Sequence, residues 1–284
     1  MTGPSQPLSH PFHPKRFDRA AGSYEAHSRV QDAMAETLIG LAAPDPLAAS
    51  APARLSGNGI LELGCGTGLL TRRLRARFPG EPLCATDAAP RMLEAARAVP
   101  ADPAGTAAIR WALMDASGLA AVPEPIAVPA PYGLAASNAL VQWFPDLEAH
   151  FRLVASLLEA RGTYLVSGFT PENFPELNAI LRAPPFGFKE FPGNAPEAIR
   201  AAAAAAGFTV EALETGSVEM RFASAQGFLA SIKAMGSARR PREGSPMTRT
   251  RLAGLLETYQ RSYAVEGGVR ATWTPWYARL RRTA

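Results

Sequence analysis

Hydrophobic positions along this chain switch between two periods. Short apolar runs ending near Leu63, Asp87 and Met114, and the runs 132–137, 163–169 and 208–213, read as buried strands. Between them, 69–78, a stretch opened by Arg91-Met92-Leu93, 146–158 and 194–206 carry helical spacing. One helix, 23–41, is predicted ahead of the first strand. Beyond the sixth strand come a short strand at 217–222, helices at 224–235 and 248–263, and a last strand at 271–280. Strands alternating with helices predict an α/β fold, a doubly wound and mostly parallel sheet of Rossmann-like type. The breaks agree: a Pro/Ala-rich connection at 43–58, four prolines within 121–131, a turn at Arg161-Gly162, and Gly207 closing an alanine-rich helix. A short helix at 171–181 and the material at 224–268 exceed what a minimal sheet needs. Because the last strand must return to that sheet, residues 17–284 are expected to form one domain with helical lid insertions near 171–192 and 224–268. Residues 1–16, rich in Pro and His, are expected to form a disordered arm.

Within this frame, Glu62-Leu63-Gly64-Cys65-Gly66-Thr67-Gly68 reads as strand, glycine loop, helix. Glycines leave no Cβ to block a ligand, and the next helix offers exposed amides at its N-terminus. The spacing is G-x-G-x-G, not the G-x-G-x-x-G of dinucleotide binders, and no phosphate-binding G-x-x-x-x-G-K-[S/T] run exists. An ordinary strand-to-helix turn would account for the glycines alone. It would not account for Asp87, at the end of the second strand about 20 residues on, or for Asp115-Ala116 after the third. Both acids stand at carboxyl ends of strands, where open α/β sheets bind ligands.

Composition narrows the class. The chain has 284 residues, enough for one large core or two modest ones. No apolar run approaches the ~20 residues that span a bilayer, and the start lacks an apolar signal core. No membrane association is therefore expected. Two cysteines, Cys65 and Cys84, give no disulfide framework and fit a reducing cytoplasm. No metal site is expected from so few Cys and His; His10 and His13 fall in the arm, and His150 is expected on a helix surface. The net charge is +4 but uneven, with Arg239, Arg240, Arg242, Arg249 and Arg251 clustered late and Arg279, Arg281 and Arg282 at the end. Such a patch either steers an acidic partner or is a solvated face. Nucleic acid is not expected, because no stacking aromatics interleave with these arginines.

The glycine loop with its two acids resembles the class I S-adenosylmethionine-dependent methyltransferases. That resemblance implies S-adenosyl-L-methionine as cofactor. It implies that Glu62, Gly64, Cys65, Gly66 and Gly68 approach its methionine part, that Asp87 holds the ribose, and that Asp115 and Ala116 meet the adenine beside Met92. Four further motifs narrow it: Phe17-Asp18-Arg19-Ala20-Ala21-x-x-Tyr24-x-x-His27-x-x-x-Gln31; Ser137-Asn138-Ala139-Leu140-Val141-Gln142-Trp143-Phe144; Phe169-Thr170-Pro171-Glu172-Asn173-Phe174-Pro175-Glu176-Leu177; and Lys233-x-x-Gly236. Together they resemble the malonyl-acyl-carrier-protein O-methyltransferases of biotin synthesis, over nearly the whole chain from Phe17. Gly133 stands where that family commonly has an aspartate.

The narrower resemblance implies methylation of the free carboxylate of a malonyl thioester, carried by acyl carrier protein or coenzyme A. It adds Gln31 and Asn138 to the cofactor site and Tyr24, His27 and Lys233 to the catalytic set. Lys233 and Arg200 are the candidate cations for the substrate carboxylate. A methyltransferase of another acid such as trans-aconitate, or a non-catalytic cofactor-binding protein, would share much of this pattern.

Overall fold

The computed structural model describes residues 14–42, 55, 58–99, 109–116, 130–184, 186, 193–234 and 247–284. Its main sheet comprises β1 (Ile60–Leu63), β2 (Leu83–Asp87), β3 (Ile109–Leu113), β4 (Tyr132–Ser137), β5 (Leu158–Phe169), β6 (Phe208–Thr215) and β10 (Pro275–Arg282). The order is β3-β2-β1-β4-β5-β10-β6, and β10 runs antiparallel to both of its neighbours. β1 and β4 are buried along their whole length, as strands covered on both faces must be. Alternate residues feed two cores. Ile60, Leu134 and Leu165 meet α2 (Arg29–Gly40) and α3 (Leu69–Arg77) on one face. Leu61, Ala135 and Val166 meet α5 (Leu147–Leu157) and α7 (Pro196–Ala205) on the other. α5 begins where Asp146 accepts a hydrogen bond from the Ala149 amide at 2.8 Å, an N-cap that satisfies one free donor. α4 (Pro90–Ala98) connects β2 to β3.

Four expectations are corrected. The helix expected at 23–41 is two, α1 (Pro14–His27) and α2, separated at buried Ser28, whose ψ of 26° leaves the helical range. α1 also takes in residues 14–16 of the expected loose arm; Pro14 suits a first helical position, where no N–H is needed. The arm's remaining residues, 1–13, lie outside the described part. The strand expected at 271–280 is β9 (Gly268–Trp273) and β10, in different sheets, broken at Thr274. His150 is buried, not on a helix surface: its Nε2 lies 3.0 Å from the Tyr164 hydroxyl on β5 and its ring stacks on Phe144 at 4.3 Å.

An accessory layer is built from more of the chain than the expected lid insertions near 171–192 and 224–268, since it also takes in 218–222 and 269–273. β7 (Val218–Phe222), β9 and the two-residue β8 (Ala264–Val265) form an antiparallel sheet in the order β7-β9-β8. α6 (Pro175–Arg182), α8 (Ala225–Ala234) and α9 (Arg249–Ser262) pack around it, with Phe174, Phe228, Tyr259 and Trp273 at the centre. β8 pairs only with Gly268 and Val269, and Tyr263 O takes the Arg270 amide, so the β9 edge beyond Arg270 would be bare.

The Thr170–Glu176 segment fills this edge. Phe174 N–H donates to Thr272 O at 3.1 Å, and Thr272 donates to Glu176 through its amide at 3.1 Å and its hydroxyl at 2.6 Å. Thr274 N–H donates to Asn173 Oδ1 at 3.0 Å, and Thr170 N–H to Thr274 O at 2.9 Å. The third motif is thus a hydrogen-bonded substitute for a missing strand. The C-terminal arginines also have structural work. Arg279 and Arg281 both pair with Glu211, and Arg282 reaches the carbonyl of Leu158.

Glu176→Ala would leave two β9 donors without their acceptor. We expect it to lower unfolding free energy by about 1–3 kcal/mol, read as a fall in the urea midpoint, with Glu176→Gln losing less.

Candidate functional site

The order of the sheet decides where a site can form. From β1 the chain moves outward to β2 and β3, then returns to β4 on the other side, which opens a crevice at the carboxyl ends of β1 and β4. The glycine loop lies there. Gly64, Gly66 and Gly68 have φ of 67°, 54° and 87°, left-handed values that other residues adopt at a cost. A Cβ on Gly64 would also come within 2.8 Å of Leu140 Cδ1, so the Leu140 side chain would have to move.

Asp87 organises the loop. Its Oδ2 accepts the Gly66 amide at 2.9 Å and its Oδ1 accepts the Ala89 amide at 2.8 Å, just ahead of α4. Burial pushes its pKa above the usual carboxylate range, the Ala89, Gly66 and Ala88 amides pull it back, and Asp115 pushes it up again. The Met114 amide donates to Asp87 O at 2.9 Å, which places Asp115 and Ala116 next to the same crevice.

The cleft encloses about 560 Å³ of open space, part of it continuous with solvent. Gly64, Gly66 and Asp87 form one side; Met92, Met114, Asp115 and Ala116 another; Asn138, Leu140, Trp143 and Phe144 a third. α1 closes over the top with Phe17 and Tyr24. Phe17 meets Trp143 edge-on at 5.5 Å between ring centres. Burial, then the charge of Asp87, raise the Tyr24 phenol to about 12, so it stays protonated at neutral pH. Among the described residues the lining holds two carboxylates and no Lys, Arg or His. Such a cleft suits a ligand with positive charge, hydroxyl donors and a flat apolar part.

The structure thus gathers Tyr24, Gly64, Gly66, Asp87, Met92, Asp115, Ala116 and Asn138 around one cavity. Other expected site residues stand behind it. Glu62 is buried beneath the loop and accepts a 2.6 Å bond from the Thr71 hydroxyl on α3. The Cys65 side chain packs with Ala85 and Leu93, and Gly68 is the N-cap of α3. Gln31 contributes its backbone oxygen, which accepts from Asn138 Nδ2 at 2.9 Å, while Asn138 Oδ1 accepts from Ser167 at 2.7 Å. Lys233 is exposed in the last turn of α8, and Arg200 is exposed on α7; neither lines the cleft. The side chain of His27 lies outside the described residues.

Phe17, Met114, Leu140, Trp143 and Phe144 are lining residues that the site reading did not single out. Phe17, Trp143 and Phe144 belong to motifs already noted, so their presence there was the available signal. His150, which supports Phe144 from behind, had none. Among the described residues no group of three His, Cys, Asp or Glu could hold a metal ion, and no helix is long and apolar enough to cross a membrane.

With this geometry in hand, comparison with known proteins is informative. A family model described as "Methyltransferase domain" matches residues 60–162. The chain is 30% identical over 273 residues to a malonyl-acyl-carrier-protein O-methyltransferase of Acetivibrio thermocellus, covering 90% of this chain and 88% of that protein. It is 32% identical over 258 residues to the biotin biosynthesis bifunctional protein BioCD of Bordetella avium, covering 88% of this chain and 49% of that protein. Among solved structures, YcgJ of Bacillus subtilis aligns with a TM-score of 0.57 at 16% identity, covering 88% of this chain and 99% of its own. A Bacillus halodurans C-125 protein gives 0.58 at 16%, covering 88% and 99%. At this identity these structures show the shared fold.

Glu62 generates a pH prediction. Burial raises its pKa from 4.5 to about 8, against the Thr71 hydrogen bond. A carboxyl whose folded pKa exceeds its unfolded one binds more protons when folded, so its contribution to stability is full below pH 4.5 and is lost as pH rises towards 8. Glu62→Gln should flatten the fall in thermal midpoint across that window, measured by calorimetry.

Proposed function

Since this chain belongs to the malonyl-acyl-carrier-protein O-methyltransferase family, we propose that it methylates the free carboxylate of a malonyl group carried as a thioester on acyl carrier protein. Its methyl donor is S-adenosylmethionine. The observation that carries the reading is the cleft itself, with Asp87 and Asp115 set between a bare glycine loop and apolar walls. The fit to the donor is chemical. Asp87 keeps acceptor capacity for a ribose hydroxyl after accepting the Gly66, Ala88 and Ala89 amides. Met92, Met114 and Phe144 offer a slot for a flat base, with Asp115 at its edge to accept from an amine. The nearest atom to a Cβ built on Gly66 is Tyr24 Cε1, 3.9 Å away, so a side chain there would project towards the covering helix.

When bound, the donor supplies a methyl carbon made electrophilic by a sulfonium. The acceptor carboxylate is already anionic at neutral pH, so no proton needs removing and no general base is called for. What remains is alignment and dryness. Tyr24 and Phe17 serve both, from a helix that packs on α4 and α8. Tyr24, protonated to about pH 12, orients the acceptor as a hydrogen-bond donor, not as a base. We assign the accessory layer the role of a lid that covers the acyl chain. The product is an uncharged ester, which can enter apolar pockets closed to a carboxylate.

The test is mass spectrometry of malonyl-acyl carrier protein after incubation with the protein and S-adenosylmethionine. We expect the malonyl carrier to gain the mass of one methylene, and the carrier without its malonyl group to gain none. Methylation of trans-aconitate with none of the malonyl carrier would overturn the substrate.

A further inference from the structure

The covering helix α1 meets α4 through an apolar face and one charged group. The apolar face carries Phe17, Ala21 and Tyr24 at helical spacing. Phe17 and Tyr24 reach the cleft, and Ala21 is buried against Ala89 and Met92 at the start of α4. The charged group is Asp18, beside that face. Its Oδ1 accepts the Arg91 amide of α4 at 2.9 Å, across 73 residues of sequence.

The need for that acceptor lies in α4. The first amides of a helix have no partner within it. Ala89, the residue ahead of α4, offers no capping side chain, and its own amide is taken by Asp87 Oδ1. Pro90 has no N–H. The amides of Met92 and Leu93 turn back to Ala89 O, at 3.1 and 3.4 Å. The Arg91 amide remains, and Asp18 supplies its acceptor. A carboxylate suits this place, because the start of a helix carries partial positive charge. Two acids thus share the start of α4. Asp87 holds it to the glycine loop, and Asp18 holds it to the covering helix.

We infer that Asp18 is a positioning residue: by capping α4 from α1 it fixes Phe17 and Tyr24 over the bound methyl donor and slows the donor's escape. This rests on the donor site described above. Asp18 does not line the cleft, so it acts through its helix and not on the donor. Phe17 adjoins it and Tyr24 follows about two turns later, so a tilt of α1 away from α4 withdraws both rings. Ser28 separates α1 from α2, so α1 is not carried as an extension of that helix. Its placement depends on the contacts it makes with α4 and α8.

The experiment follows release of methyl-tritiated S-adenosylmethionine from the full chain after addition of excess S-adenosylhomocysteine. Asp18→Ala should release it about threefold to thirtyfold faster. Asp18→Asn keeps an oxygen acceptor and should stay within about twofold of the unaltered rate. Thr248→Ala serves as the comparison. It removes the cap of α9, where the Thr248 hydroxyl accepts the Arg251 amide at 3.2 Å, outside the cleft lining. It should lower the thermal midpoint by an amount comparable to Asp18→Ala and leave release unchanged. Release at the unaltered rate from Asp18→Ala, or equal acceleration by Thr248→Ala, would overturn the positioning role and leave Asp18 an ordinary cap. If the unaltered protein held no S-adenosylmethionine, the donor site itself would fall, and this role with it.

Discussion

The pair of hydrogen bonds accepted by Asp87 holds the site together. One oxygen takes the Gly66 amide from the loop after β1, the other the Ala89 amide that precedes α4. Two segments from adjacent parallel strands are thus pinned to one carboxylate at the mouth of the crevice. The strand order supplies the position, because β2 and β4 flank β1 and carry the chain away in opposite directions. The glycines supply the space, since a side chain at Gly64 would strike Leu140. Charge-assisted bonds of this kind are stronger than neutral ones, and burial strengthens them further. Burial also raises the cost of leaving the carboxylate partly satisfied, which is why three amides converge on it.

The second layer follows a similar economy. β8 is too short to cover β9, and the Thr170–Glu176 segment takes over the open edge with backbone and side-chain groups. A segment that leaves β5 at the cleft thereby anchors the accessory sheet. The position of that sheet is tied to the end of the strand beside the site. The covering helix and the aromatic pair converge over one cavity, as expected of a reaction that needs alignment and exclusion of water more than proton transfer.

Much of this was legible in the chain. Tyr132–Ser137 was expected with the bounds it has, Asp87 and Asp115 were marked by their place after strands, and Met92 by the family resemblance. Local pattern carries that information because strand period, glycine conformation and position are all short-range. The misses come from long-range partners. His150 has an ordinary place on a helix, and only Tyr164, brought alongside by the sheet, makes it a buried residue. Trp273 and Trp276 look like one strand until Thr274 turns its amide and carbonyl to Asn173 and Thr170, a hundred residues earlier in the chain. The Glu62 side chain, next to the glycines in sequence, is held by Thr71 on α3, a partner that the local pattern does not show.

The most direct test of the central claim is calorimetric titration of S-adenosylmethionine into the protein and into Asp87→Asn, which keeps the shape but removes the charge and one acceptor. Loss of charge-assisted bonds worth about 1.5–3 kcal/mol predicts an affinity about 10–100-fold weaker. Unchanged affinity in a folded variant would contradict the assignment of Asp87 as the residue on which the site is built.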